Sequence, residues 1–174
     1  MVQVRKNAII MAIALLLAAG LVASTYSLWK CQKKSERLID SVYIDSIRSV
    51  EVLSDMANFL NGSIETNASD DYLMFQLILY DEHAIFLGKI LFDLYEQTGE
   101  KKYYTLYTAV SNVVSFLTDV SNDGPTKMRA RVKDNFYTLK QIQELFKELS
   151  KYQKPEEIPE DLAEELLNAS RKLK

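Results

Sequence analysis

The stretch DDYLMFQLILYDEHAIFLGKILFDLYEQT, residues Asp70–Thr98, reads as one long helix. Leu73, Met74, Phe75, Leu77, Ile78, Leu79, Ile85, Phe86, Leu87, Ile90, Leu91, Phe92 and Leu94 cover much of its circumference. A helix that is apolar on most sides belongs among other helices, so this one is expected to be the centre of the core. Ser69 offers an N-cap, and Asp70 and Asp71 stand in the first turn, where the helix dipole favours acids. Asp81, Glu82 and His83 interrupt the stretch after nine uncharged residues, too few to cross a bilayer.

On its C-terminal side Thr98-Gly99 supplies a stop, Gly being suited to the left-handed residue that closes a helix. DLYEQTGEKKYYTLY, residues 93–107, resembles the helix-turn-helix phrasing of stacked α-hairpin proteins, a packing grammar that names no family. From Tyr103 the residues Leu106, Val110, Val113, Leu117 and Val120 follow alternating steps of four and three, the seam of a coiled-coil-like bundle helix. Residues 103–118 carry no charge, which leaves Thr105, Thr108, Ser111, Asn112, Ser115 and Thr118 on the nominally outer face. A solvated helix normally shows charges there, so this face is expected to be covered by another segment, another copy or a protein partner.

SNDGP, residues 121–125, is a turn, with Pro125 suited to the first position of a helix that runs to about Tyr152. Its seam is Val132, Leu139, Ile142, Phe146 and Leu149, with Asn135 where an apolar residue is expected. A polar residue at such a place fixes register or is solvated at a bundle end. KPEEIP, residues 154–159, is a rigid linker to a short helix whose stripe is Leu162, Leu166, Ala169 and Leu173, expected to dock on the bundle.

On the N-terminal side, Ile39, Tyr43, Ile47, Val50, Leu53, Ala57 and Leu60 give an amphipathic helix over residues 35–60. NGSIETNAS, residues 61–69, is expected to be a loop. Further back, NAIIMAIALLLAAGLVASTYSLW, residues 7–29, holds no charged side chain in 23 residues, which at about 1.5 Å of rise each is enough to cross a hydrocarbon layer of about 30 Å. It is expected to be a retained transmembrane signal anchor, since it exceeds a signal-peptide core and ends on the interfacial aromatics Tyr26 and Trp29. Cleavage near Ser24, which would release a secreted bundle, is the competing reading.

The expected organisation is a short basic N-terminus (1–6), the anchor (7–29), a basic juxtamembrane segment (30–34), a helical domain (35–154), and a linker with a C-terminal helix (155–174). The fold class is all-α: an antiparallel four-helix bundle plus a short C-terminal helix behind one N-terminal transmembrane helix. Residues 36–123 hold 15 acids against 5 bases, and residues 124–154 hold 3 acids against 8 bases. A net-acidic domain is a poor general binder of nucleic acid. Flanking charge favours a cytoplasmic domain, with four bases after the run (Lys30, Lys33, Lys34, Arg37) against two before it. The sequons at Asn61, Asn67 and Asn168 favour the opposite side, as candidate glycosylation sites. Long domains translocate largely regardless of flanking charge, so the expectation is a single-pass protein with its N-terminus inside and its domain outside.

Cys31 is the single cysteine, so no internal disulfide forms, while its juxtamembrane place makes it a candidate for acylation or an intermolecular disulfide. Lys127, Arg129, Arg131 and Lys133 cluster in the first turns of a helix, where the dipole disfavours cations. Something negative is expected beside them, either acids of the neighbouring helices or an anion or acidic partner. Asp81, Glu82 and His83 point about 100° apart and do not converge unaided. One histidine supports neither a di-iron pattern nor a triad, and no glycine-rich phosphate loop is present. No catalytic residue, metal or cofactor is therefore expected. The expected function is a membrane-anchored, non-enzymatic module for protein interaction or assembly, with the lipid bilayer and a protein partner or second copy as its partners. The alternative is a small-molecule-sensing bundle working with a separate signalling subunit, for which Tyr80, His83 and Tyr107 would line one pocket.

Overall fold

The computed structural model describes residues 2–174, with the side chains of residues 17–34 and 39–174. The described residues are all-α: α1 (Val2–Leu53), α2 (Met56–Glu65), α3 (Asp70–Thr98), α4 (Lys101–Ser121), α5 (Pro125–Asp134), α6 (Phe136–Leu149), a 3-10 turn at Pro155–Glu157, and α7 (Glu160–Ser170). They divide into two compact units, Met1–Ile39 and Asp40–Lys174.

In the first unit the side chains of residues 17–34 are all exposed, Leu17, Leu21, Val22, Leu28 and Trp29 among them. Tyr26 and Trp29 lean together one turn apart, with ring centroids 6.0 Å apart, and Lys33 lies over the Trp29 ring. Residues 7–16 of the expected anchor lie outside the residues whose side chains are described. Among the described residues no helix is long and apolar enough to cross a membrane.

In the second unit the α3–α4 hairpin is the organising pair. α3 has the expected bounds; Ser69 Oγ accepts from the Tyr72 amide, and Gly99 closes the helix at φ 72°. The two-residue connection turns the chain back on itself. Tyr95 then meets Tyr104, Phe92 meets Tyr107, and Thr118 donates to Asp81, so each step down α3 is matched by a step up α4, the register of an antiparallel pair. Gly88 faces Val110 and Tyr107 across this seam. Leu106, Val110, Val113, Leu117 and Val120 are fully buried, each stabilising the fold by about 1.5–3 kcal/mol in transfer terms.

Around the hairpin, α4 packs on α5 and α7, α6 on α7 and α2, and α2 on α3 and α5. The helix expected over residues 35–60 is broken. α1 ends at Leu53, where the Ser54 hydroxyl donates to the Glu51 carbonyl and so competes with the helical ladder. α2 restarts at Met56 and brings Met56, Ala57 and Leu60 back to the core. The loop expected at residues 61–69 shrinks to residues 66–69, because Ser63 is drawn inside, donating to the Phe59 carbonyl and to Gln76 Oε1 at 2.7 Å. Asn67 takes the left-handed conformation at φ 51°, which Asn tolerates better than most residues.

The helix expected from Pro125 to about Tyr152 is likewise two, broken at Asn135. That residue is buried, and its amide Nδ2 donates to the Arg131 carbonyl at 2.9 Å and the Lys174 carbonyl at 3.1 Å, while its Oδ1 accepts from the Lys174 amide at 2.9 Å. Its polar side chain is satisfied by the C-terminal segment, which the helical pattern alone does not indicate. α7 docks through a wider stripe than Leu162, Leu166 and Ala169, since Ala163, Leu167 and Ser170 are buried as well.

Candidate functional site

α3 buries Leu73, Leu77, Tyr80, Ala84, Leu87 and Leu91 toward the core and leaves its opposite face bare. Tyr72, Phe75, Ile78, Leu79, Ile85, Phe86 and Phe92 are each between 38% and 62% exposed along that face. Within the row two charged residues, Glu82 and Lys89, stand on the midline of the face, both exposed and neither in an ion pair among the described residues, while the exposed acids Asp71 and Glu96 lie on the same face just beyond its two ends. Isolated exposed apolar residues are ordinary, but a contiguous row of this length on one helix marks a contact surface.

Each flank of the row opens into a depression. Toward α1 and α2, a groove of about 430 Å³ is lined by Val52, Phe59, Tyr72, Phe75, Leu79 and Tyr80, with Glu51 and Asp55 on its rim. Burial and the nearby Asp55 carboxylate push the Tyr80 hydroxyl pKa up to about 12, so it stays protonated and available as a donor. A neighbouring cleft of about 330 Å³ shares Phe59, Tyr72 and Gln76. Toward α4, a depression of about 270 Å³ joins Ile85 and Lys89 to Tyr107, Ser111 and Ser115.

The uncharged residues of α4 divide between these surroundings. Thr105 is buried, Asn112 donates to Ser170 of α7 at 3.0 Å, and Thr118 donates to Asp81 at 3.1 Å. Thr108 and Ser111 are half-buried and bond back to the carbonyls of Tyr104 and Tyr107. Ser115 alone of the six is exposed. Part of this face is thus engaged by the chain's own α7, at Asn112, and α3, at Thr118, while Ser111 and Ser115 border the α3 row. The KPEEIP linker is pinned by a residue the sequence reading passed over: Lys102 is buried and its Nζ donates to the carbonyls of Glu156 at 3.0 Å and Ile158 at 3.2 Å.

The basic cluster is largely engaged within the chain. Lys127 and Arg131 pair with Asp123 at 2.5 and 3.0 Å, and these contacts hold the Asp123 carboxyl below the usual carboxylate range. Arg129 pairs with Asp70 at 2.7 Å and also donates to the Ala68 carbonyl, tying α5 to the start of α3. Lys133 is exposed. Arg131 also lines a cleft of about 310 Å³ with Asn112, Asp119, Arg171 and Lys174.

Asp81, Glu82 and His83 diverge as helical spacing requires. Asp81 turns to α4, its Oδ1 buried without a partner among the described residues, and desolvation raises its pKa. Glu82 faces outward, and His83 lies against α1 with Nδ1 3.0 Å from Ser49 Oγ. Desolvation, then the nearby Arg48, lowers the His83 pKa and keeps the ring neutral. Tyr80 and Tyr107 line different depressions and His83 lines neither, so the three do not meet in one pocket. Among the described residues no group of His, Cys, Asp and Glu is placed to hold a metal ion.

Of the sequons, Asn61 lies in α2 with its amide donating to Glu65 at 2.7 Å, Asn67 is exposed in the α2–α3 turn, and Asn168 is exposed on α7. Cys31 is exposed and unpaired in the first unit. The bare face of α3 was not singled out from the sequence, where those residues read as core. Its signal was present all the same: α3 has more apolar residues than one buried face accommodates, and Glu82 and Lys89 stand two turns apart on its outer midline. Comparison of the chain with family models, with curated proteins and with solved structures gave no match.

Proposed function

We propose that this chain is a membrane-tethered, non-enzymatic interaction module whose contact surface is the outer face of α3. The single observation that supports the reading most is the row Phe75, Ile78, Ile85 and Phe86, left uncovered on the longest helix of the second unit. The grooves on either flank extend it to Phe59 on one side and to Ser111 and Ser115 of α4 on the other. The tether is the finer part of the proposal. It rests on the 23 uncharged residues 7–29 and on the exposure of the side chains of residues 17–29. An uncovered apolar helix is costly in water, at about 25 cal/mol per Å² of apolar surface, and lipid removes that cost. In this proposal the domain lies on the outer side of the membrane.

Two measurements on the full chain test the reading. With a photoreactive benzophenone residue in place of Ile78, irradiation of intact cells is expected to yield a protein adduct; adducts with lipid alone, or none, would remove α3 as the contact surface. Alkaline carbonate extraction of membranes is expected to leave the chain in the pellet, and release into the supernatant would remove the tether.

A further inference from the structure

Resting on the reading of α3 as a contact surface, we infer that its occupant is a second copy of this chain, packed antiparallel across a twofold axis at Ile85 and Phe86. Three observations converge. The area suits it: at roughly 200 Å² for a fully exposed Ile, Leu, Phe or Tyr side chain, the seven apolar residues of the face leave about 650 Å² bare per copy. That exceeds the apolar patch of a typical monomer and approaches the about 800 Å² per partner of a standard interface.

Charge complementarity sets the direction. Glu82 and Lys89 are seven residues apart, two helical turns, so they share one face. A twofold axis midway between them and perpendicular to the helix places Glu82 of each copy against Lys89 of the other, twice. A parallel pairing places Glu82 on Glu82 and Lys89 on Lys89, which like-charge repulsion disfavours. The apolar residues agree with the antiparallel choice. Ile85 and Phe86 fall at the axis on opposite flanks of the midline, so each meets its own symmetry mate, and Ile78 comes within one residue's rise, about 1.5 Å, of Phe92 on the same flank of the second copy. Among the described residues neither charge has an ion-pair partner that this pairing would have to displace.

The experiment uses the full chain in native membranes, with Cys31→Ser as background. Oxidative crosslinking of Phe86→Cys is expected to give a band of two chains, about 40 kDa from a 20.0 kDa subunit. Phe75→Cys is expected to give none, because in the antiparallel arrangement the two copies of residue 75 are about 30 Å apart along the helix. A crosslink at Phe75 signifies a parallel pair and overturns the proposal, as does no crosslink at Phe86. In detergent, Glu82→Lys and Lys89→Glu are each expected to weaken self-association at least about tenfold, and the double exchange to restore it. Single variants without effect, or a double exchange that fails to rescue, also overturn it. A protein adduct at Ile78 to a different protein, with no crosslink at Phe86, ends the second-copy assignment and leaves the interaction reading standing.

Discussion

Asn135 shows how one polar side chain organises chain crossings that apolar pattern cannot. Each of its three hydrogen bonds is to backbone, two of them to Lys174, so the amide joins the α5–α6 break to the C-terminal segment. Asn135→Ala removes the amide and leaves those backbone groups to find other partners. The expected loss is about 2 kcal/mol in urea denaturation, with faster amide exchange at residues 172–174. An unchanged midpoint would mean that water replaces the amide without cost. Lys102 has a comparable role at the linker, where one charged donor satisfies two of its carbonyls.

At the scale of elements, α7 docks on the bundle as its apolar stripe leads one to expect. Its buried residues face α4 and α6, and Asn112 meets Ser170 across the contact. Leu166 is nearly fully buried there, so Leu166→Ala is expected to cost about 2–5 kcal/mol through lost burial and the cavity left behind. If α7 undocks as a unit, proteases will cut within residues 154–159 before the rest of the domain unfolds. Uniform cleavage kinetics across the domain would instead show that α7 belongs to one cooperative unit with α4. The breaks at Ser54 and Asn135 belong to this scale as well. Each lies where a short polar side chain bonds its own backbone and the next apolar stripe restarts in the core.

Across the whole molecule, stability against pH is set in part by two neighbours on α3 that act in opposite directions. The folded His83 has a lowered pKa, so its contribution is present above the unfolded value near 6.5 and is lost as pH falls through the folded value. The folded Asp81 has a raised pKa, so its contribution is full below 3.8 and is lost as pH rises through the folded value. His83→Gln, which cannot take up a proton, is expected to flatten the decline in melting temperature below pH 6.5. Asp81→Asn is expected to raise the melting temperature at pH 7, with the gain shrinking toward the acid limit of its window. An Asp81→Asn melting temperature below the native one at pH 7 would mean that the ionised carboxylate is held by a partner beyond Thr118.

The sequence by itself determined the helical class, the bounds and caps of α3, the turn at Gly99 and the seam of α4. These follow from local rules: periodicity, side-chain capping and the left-handed tolerance of glycine act within a few residues of where they are read. Only the tertiary structure decided which apolar residues are inside. Leu77 and Ile78 are adjacent and equally apolar, yet Leu77 is buried against its neighbours and Ile78 faces outward, because α4 and α2 occupy one side of α3 and the described chain supplies nothing for the other. The uncharged face of α4 and the buried Asn135 were likewise visible as anomalies, and their partners lie 58 and 39 residues away in Ser170 and Lys174. Separations of that length are closed by packing of the whole domain, which no local pattern encodes.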